Sequence, residues 1–153
     1  DYTNGLMPQY NKAVIMDEFS GLSKGWNDPD MLMIGMDGLT ESMNRTHFAM
    51  WCMMNSPLML GLDLRRVEKG DWIYNIITNE KLIALNQDIL GVQAKRVKAV
   101  YKEDGKICTM SNPDTTYSRN NERSDILVKP LFDGSFDFHY SNDLFVPEKY
   151  SSL

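Results

Sequence analysis

The chain reads as an α/β segment that passes into an all-β one: two strand-and-helix units followed by an antiparallel sheet. Three observations predict this. Residues 31–34 and 58–62 are short, uninterrupted apolar runs, too brief for helices and suited to buried parallel strands. Residues 41–56, between them, carry helical spacing and are apolar almost all round from Phe48 to Met54, as an enclosed helix would be. Past residue 92 the Met-rich runs give way to short β-like runs separated by polar turns, so the architecture changes there.

Taken in order, helical spacing first runs over residues 10–22, with Ala13, Ile15, Met16, Phe19 and Leu22 on one face, until Gly21 and Gly25 break it. Pro29 and Gly35 bound the first apolar run, and Thr40 is placed to cap the helix that Pro57 stops. Asp71 is placed to cap a helix through Ile77, and Asn79 a further short one containing Leu82, Ile83 and Leu85. Two such units neither close a barrel nor shield a parallel sheet on both faces, so residues 1–91 imply neighbours beyond themselves. The boundary falls over residues 91–97. Strands are predicted over 96–101, 106–110, 126–131 and 135–140, in hairpins turning at Glu103-Asp104-Gly105 and Asp133-Gly134. Residues 112–125 read as a polar loop, and 146–153 have little to bury.

Composition narrows the functions. Over 153 residues, 42% apolar and 24% charged content is ordinary for a folded domain, and a formal net charge of −5 without a Lys/Arg block argues against nucleic acid. An uncharged or weakly charged ligand fits better. No run approaches the length a membrane span needs, so no membrane partner is expected. Cys52 and Cys108 make neither a disulfide framework nor a zinc site, and no His/Cys/Asp/Glu cluster has ligand spacing; no metal or cofactor is expected.

The chemistry concentrates in Trp26-Asn27-Asp28-Pro29-Asp30-Met31-Leu32. Pro29 fixes its own φ and favours extended geometry at Asp28, and in an extended segment residues two apart share a side, so Asp28 and Asp30 are able to face one ligand. Ionised carboxylates accept vicinal sugar hydroxyls, while Trp26 and Met31 offer apolar surface to the ring's C–H faces. The competing reading is that Asp28 bonds local amides in an Asx-turn and Trp26 is core.

These residues belong to four blocks in register: the stretch just quoted, Arg45-Thr46-His47-Phe48-Ala49-Met50-Trp51, Asn55-Ser56-Pro57-Leu58-Met59-Leu60-Gly61-Leu62-Asp63-Leu64-Arg65, and Asn86-Gln87-Asp88-Ile89-Leu90-Gly91. Together they resemble the second half of family 27 glycoside hydrolases, the α-galactosidases and α-N-acetylgalactosaminidases. Asp125-Ile126-Leu127-Val128-Lys129-Pro130-Leu131 with Asp133-Gly134-Ser135 resembles that family's carboxyl-terminal β domain.

The resemblance implies the last two βα units of a (β/α)8 TIM barrel (residues 1–91) followed by part of an antiparallel β-sandwich (residues 92–153), with the active site at the carboxyl ends of the barrel strands. Residues 31–34 would be the seventh strand and 58–62 the eighth. By position, Asp30 would hydrogen-bond galactose hydroxyls and Met31 would line the same pocket, whereas Trp26 and Asp28 match the motif as residues that shape the turn. The family's nucleophile, in a Lys-Tyr-Asp motif, and its acid/base Asp have no counterpart here, and retention needs two carboxyl groups about 5 to 5.5 Å apart. Asp28 and Asp30 do not substitute for that pair, so no catalytic residue is assigned and the isolated chain is expected to be inactive.

His47, in a Met-rich helix, reads as structural rather than as a proton shuttle, and His139 likewise. Asn44-Arg45-Thr46 is a formal glycosylation sequon on a helix of buried type, and the eleven Met residues read as core rather than as a peptide groove. Two functions result: a fragment of a retaining hydrolase of terminal α-linked galactose or N-acetylgalactosamine, or a non-catalytic carbohydrate-binding or scaffold piece. The second would pair with a chain supplying the rest of the barrel, and self-association is a further expectation.

Overall fold

The computed structural model describes residues 6–101, 107–108 and 123–142. A helical part is followed by a four-stranded antiparallel sheet, and the helices share one core.

Helix α1 (Leu6–Ala13) buries Met7, Tyr10 and Ala13, a stripe at helical spacing. It starts and stops earlier than the 10–22 pattern predicts. The carbonyl of Ala13 accepts from Gln93 Nε2 at 2.8 Å and from the Met16 amide at 3.1 Å, and after a 3-10 turn (Asp17–Phe19) the exposed Met16, Phe19 and Leu22 face away from the core. A distant side chain thus ends a helix that local spacing would continue.

Helix α2 (Glu41–Met53) is the centre of the helical part, with Phe48 through Met53 all buried. Thr40 Oγ1 accepts from the Met43 amide at 3.2 Å, the predicted cap. The helix ends three residues before Ser56, because Asn55 takes a left-handed φ of +54° and its side chain donates to the Asn86 carbonyl at 2.7 Å. Helices α3 (Trp72–Ile77) and α4 (Glu80–Asn86) pack on α2, and Asp71 and Asn79 cap them at Tyr74 and Leu82 as expected.

The two predicted parallel strands reduce to one parallel bridge, Leu32 with Leu60: the Leu32 amide donates to the Met59 carbonyl at 2.7 Å and the Gly61 amide to the Leu32 carbonyl at 2.9 Å. Burial alternates along this segment. Leu32 and Ile34 are fully buried in the core that α2 contributes to, whereas Met31 is 53% and Met33 38% exposed on the opposite side. Only one face of the segment is covered.

The sheet has the order β2-β1-β3-β4, from β1 (Lys95–Tyr101), β2 (Ile107–Cys108), β3 (Arg123–Pro130) and β4 (Phe136–Asn142). Strand β3 begins inside the span read as a loop, since residues 123–125 pair with β1 and Ser124 and Asp125 also with β4. The turn at Asp133-Gly134 forms as predicted, closed by Leu131 N–H to the Ser135 carbonyl at 3.0 Å. The turn at 103–105, the remainder of the 112–125 loop, residues 146–153 and the side chains of Cys108 and His139 lie outside what is described.

One face of β3 carries Asp125, Leu127 and Lys129, all buried. Asp125 accepts from Tyr10 Oη of α1 at 2.8 Å and from Arg96 at 3.4 Å, and the Lys129 ammonium donates to Asn55 Oδ1 and the Val92 carbonyl. With the Ala94 amide donating to the Met53 carbonyl at 2.9 Å, these bonds tie sheet to helices. Among the described residues no helix is long and apolar enough to cross a membrane, and no group of three or more His, Cys, Asp or Glu is placed to hold a metal ion. Cys52 is a buried free thiol whose pKa burial pushes up to about 12.

Candidate functional site

The candidate site is the turn leading into the Leu32 bridge. Asn27 anchors its start, one amide nitrogen donating to the Met16 carbonyl and to Gln93 Oε1, each at 2.8 Å. Pro29 is buried. Asp28 Oδ1 accepts from the Asp30 amide at 3.0 Å, the Asx-turn that was one of its two readings.

Asp30 is not extended as the sequence suggests: its φ is +79°, one of two positive values at non-glycine residues among those described. The extended geometry that would put the two carboxylates on a shared side is therefore absent at Asp30. The Asp28 carboxylate turns back on the main chain, while Asp30 stands exposed with Oδ1 accepting from the Met31 amide at 2.7 Å. Among the described residues nothing donates to Asp30 Oδ2.

Met31 lies along Gly61: a Cβ at Gly61 would sit 3.5 Å from Met31 Cβ and 3.7 Å from its Sδ. The side chain at 31 therefore shares the uncovered face with Met33 and Met59, the last 64% exposed. Trp26 is 43% exposed and borders Gly91, where an added Cβ would be 3.0 Å from Trp26 Cη2. Gly91 also has a φ of +62°, so a side chain there is excluded twice. Pairing between the two segments is confined to Leu32 and Leu60, so Asp30 and Met31 adjoin the paired point instead of standing at the far end of a strand.

The turn rests on residues that sequence reasoning did not assign to it. The fully buried Trp51 of α2 donates through Nε1 to the Asp30 carbonyl at 2.9 Å. His47, one helical turn earlier, accepts from the Met33 amide at 3.0 Å through Nε2 and meets the Trp51 ring edge-on, with centroids 4.1 Å apart. Burial lowers the His47 pKa to about 3, so it is a neutral acceptor and no proton shuttle. Asn44 accepts from the Gly35 amide at 2.9 Å and donates to the carbonyls of Leu39 and Thr40, so its nitrogen is committed and the sequon is closed to a glycan. The only local signal for these roles is the i, i+3, i+7 spacing of Asn44, His47 and Trp51 on one helical face.

A family model described as Melibiase_2, alpha galactosidase A, matches residues 9–88. Over 75 residues, 49% of the chain, it is 47% identical to an alpha-galactosidase of Cyamopsis tetragonoloba and covers 18% of that protein. An alpha-galactosidase of Oryza sativa subsp. japonica is 45% identical over 75 residues, with the same coverage. In three dimensions 90% of the chain superposes on 27% of the alpha-galactosidase of Saccharomyces cerevisiae solved with raffinose, at a TM-score of 0.75 and 30% identity. The chain thus spans about a fifth of the length of the curated relatives it matches.

Proposed function

Because the chain belongs to the alpha-galactosidase A family, we propose that it is part of a retaining glycoside hydrolase that removes terminal α-linked galactose, or N-acetylgalactosamine, and that it supplies one wall of the sugar site. Residues 1–91 then represent the last two βα units of a (β/α)8 barrel, and residues 92–153 part of a β-sandwich. The reaction is double displacement through a covalent glycosyl-enzyme, by two carboxyl groups on opposite sides of the glycosidic bond. The polypeptide segments that complete the barrel carry that pair. This chain binds and orients.

The observation that supports the reading most is Asp30 itself. Its main chain is held in an unusual conformation, one carboxylate oxygen is tied to its neighbour's amide, and the residue is exposed with no described donor on the other oxygen. A fixed carboxylate accepts hydroxyl hydrogen bonds without losing rotamer freedom on binding, and the thioether offers an apolar strip to the pyranose. Asp28 and Trp26 shape the turn and border it. The relatives' named activity and the raffinose in the yeast structure indicate the substrate class.

In the polypeptide that carries both this chain and the catalytic pair, Asp30→Ala is expected to lower turnover of a nitrophenyl α-galactoside by about 100-fold, the worth of two charge-assisted hydrogen bonds. Near-normal turnover removes Asp30 from the pocket. The open face of Met31, Met33 and Met59 favours a second reading, a scaffold piece completed by another chain. It requires that no polypeptide containing this chain shows turnover without that partner.

A further inference from the structure

Resting on the reading of Asp30 as a sugar-binding carboxylate, we propose that Trp51 is a positioning residue: its indole N–H, braced by His47, sets the peptide plane that aims the Asp30 carboxylate. Trp51 is fully buried, and the single polar atom of its side chain donates to a carbonyl 21 residues earlier in the chain, at 2.9 Å. An indole N–H enclosed in a core must find an acceptor, and this one has taken the carbonyl of the exposed site residue.

The consequence follows the peptide bond. The Asp30 carbonyl and the Met31 amide belong to one planar unit, so fixing the oxygen fixes the direction of the amide hydrogen. That amide donates to Asp30 Oδ1 at 2.7 Å, and so the plane held by Trp51 also holds the carboxylate. On the other side the Asp30 amide is held by Asp28. Asp30 at φ +79° is a conformation an isolated aspartate seldom adopts, and both of its backbone polar groups are clamped by side chains. His47 completes the brace. Its ring meets Trp51 at an interplanar angle of 87° and its Nε2 accepts from the Met33 amide, so one helical face grips the segment on either side of Met31.

A tryptophan that merely fills the core would act on stability alone. The two roles separate in the polypeptide that carries this chain and the catalytic carboxylates, through galactose inhibition constants and KM for a nitrophenyl α-galactoside. Trp51→Phe removes the N–H but also volume. Site-specific replacement of Trp51 by β-(3-benzothienyl)alanine removes the N–H and keeps the bicyclic shape, so it decides the matter even if Trp51→Phe does not fold.

Both replacements are expected to weaken galactose binding and raise KM about tenfold, the effect of losing one part-buried hydrogen bond. The benzothienyl variant should lower the melting temperature by no more than the few degrees that one part-buried hydrogen bond is worth, and neither replacement should add anything to the binding loss in an Asp30→Asn background. Wild-type galactose binding in the benzothienyl variant, with Asp30→Asn impaired, overturns the positioning role and leaves the pocket reading standing. Equal losses with and without Asp30→Asn also overturn it, since the tryptophan would then not act through Asp30. Wild-type galactose binding in Asp30→Asn overturns the pocket reading and this inference with it.

Discussion

His47 shows what burial does to one residue. Its Nε2 accepts from the Met33 amide, so the ring proton sits on Nδ1, which is buried and has no hydrogen-bond partner among the described residues. Protonating the ring would place a charge where water does not reach, hence a folded pKa of about 3 against 6.5 when unfolded. Between those values the unfolded chain binds a proton that the folded chain refuses. Stability from this site is therefore complete above pH 6.5 and falls as pH drops towards 3, by at most about 1.4 kcal/mol per pH unit. His47→Gln keeps an acceptor for Met33 and does not titrate. Urea midpoints of the two proteins are expected to diverge in slope below pH 6.5, the wild type losing stability faster; parallel curves from pH 6.5 to 4.5 would refute the assignment.

At the scale of the element, the stability of α2's entry depends on a side chain pointing backwards. Asn44 bonds the Gly35 amide and the carbonyls of Leu39 and Thr40, which closes the loop over residues 35–40 onto the first turn of the helix. Gly35 is bound to this geometry. Its φ is +77°, and a Cβ there would meet Ile73 Cδ1 of α3 at 2.6 Å, so loop, α2 and α3 fit together only with glycine at that position. Asn44→Ala leaves the Gly35 amide and the Leu39 carbonyl short of partners, while the Thr40 carbonyl keeps the backbone amide of residue 44; the loss is about 2 to 3 kcal/mol. In a thermal melt this corresponds to about 5 to 10 °C for a domain of this size, and a shift smaller than about 2 °C would show that the loop finds other partners.

For the molecule as a whole, the join between helices and sheet is polar as well as apolar, and Lys129 is its most exacting member. The residue is fully buried, and its ammonium reaches Asn55 at the end of α2 and the Val92 carbonyl before β1. Burial pushes its pKa down to about 8, against the opposing pull of Asp88 and Asp137. Because the unfolded value is 10.5, the unfolded chain holds more protons between pH 8 and 10.5, and this site stabilises the fold progressively as pH rises through that window. Lys129→Met has no such slope. The stability difference between wild type and variant should move in favour of the wild type from pH 8 to 10, read by urea unfolding; a constant difference would show that Lys129 is not desolvated. By itself the sequence determined what depends on neighbours along the chain: the caps at Thr40, Asp71 and Asn79, the enclosure of α2, the Asp133-Gly134 turn, most of the strand runs, and the motif blocks that carry the family. Tertiary structure alone decided where α1 stops, because Gln93 arrives from 80 residues away; that the predicted parallel strands meet only at Leu32 and Leu60; and that Asp30 is held by Trp51. The physical reason is the same in each case: a backbone group takes whichever partner the fold delivers, and hydrophobic spacing does not record a partner that distant in the chain.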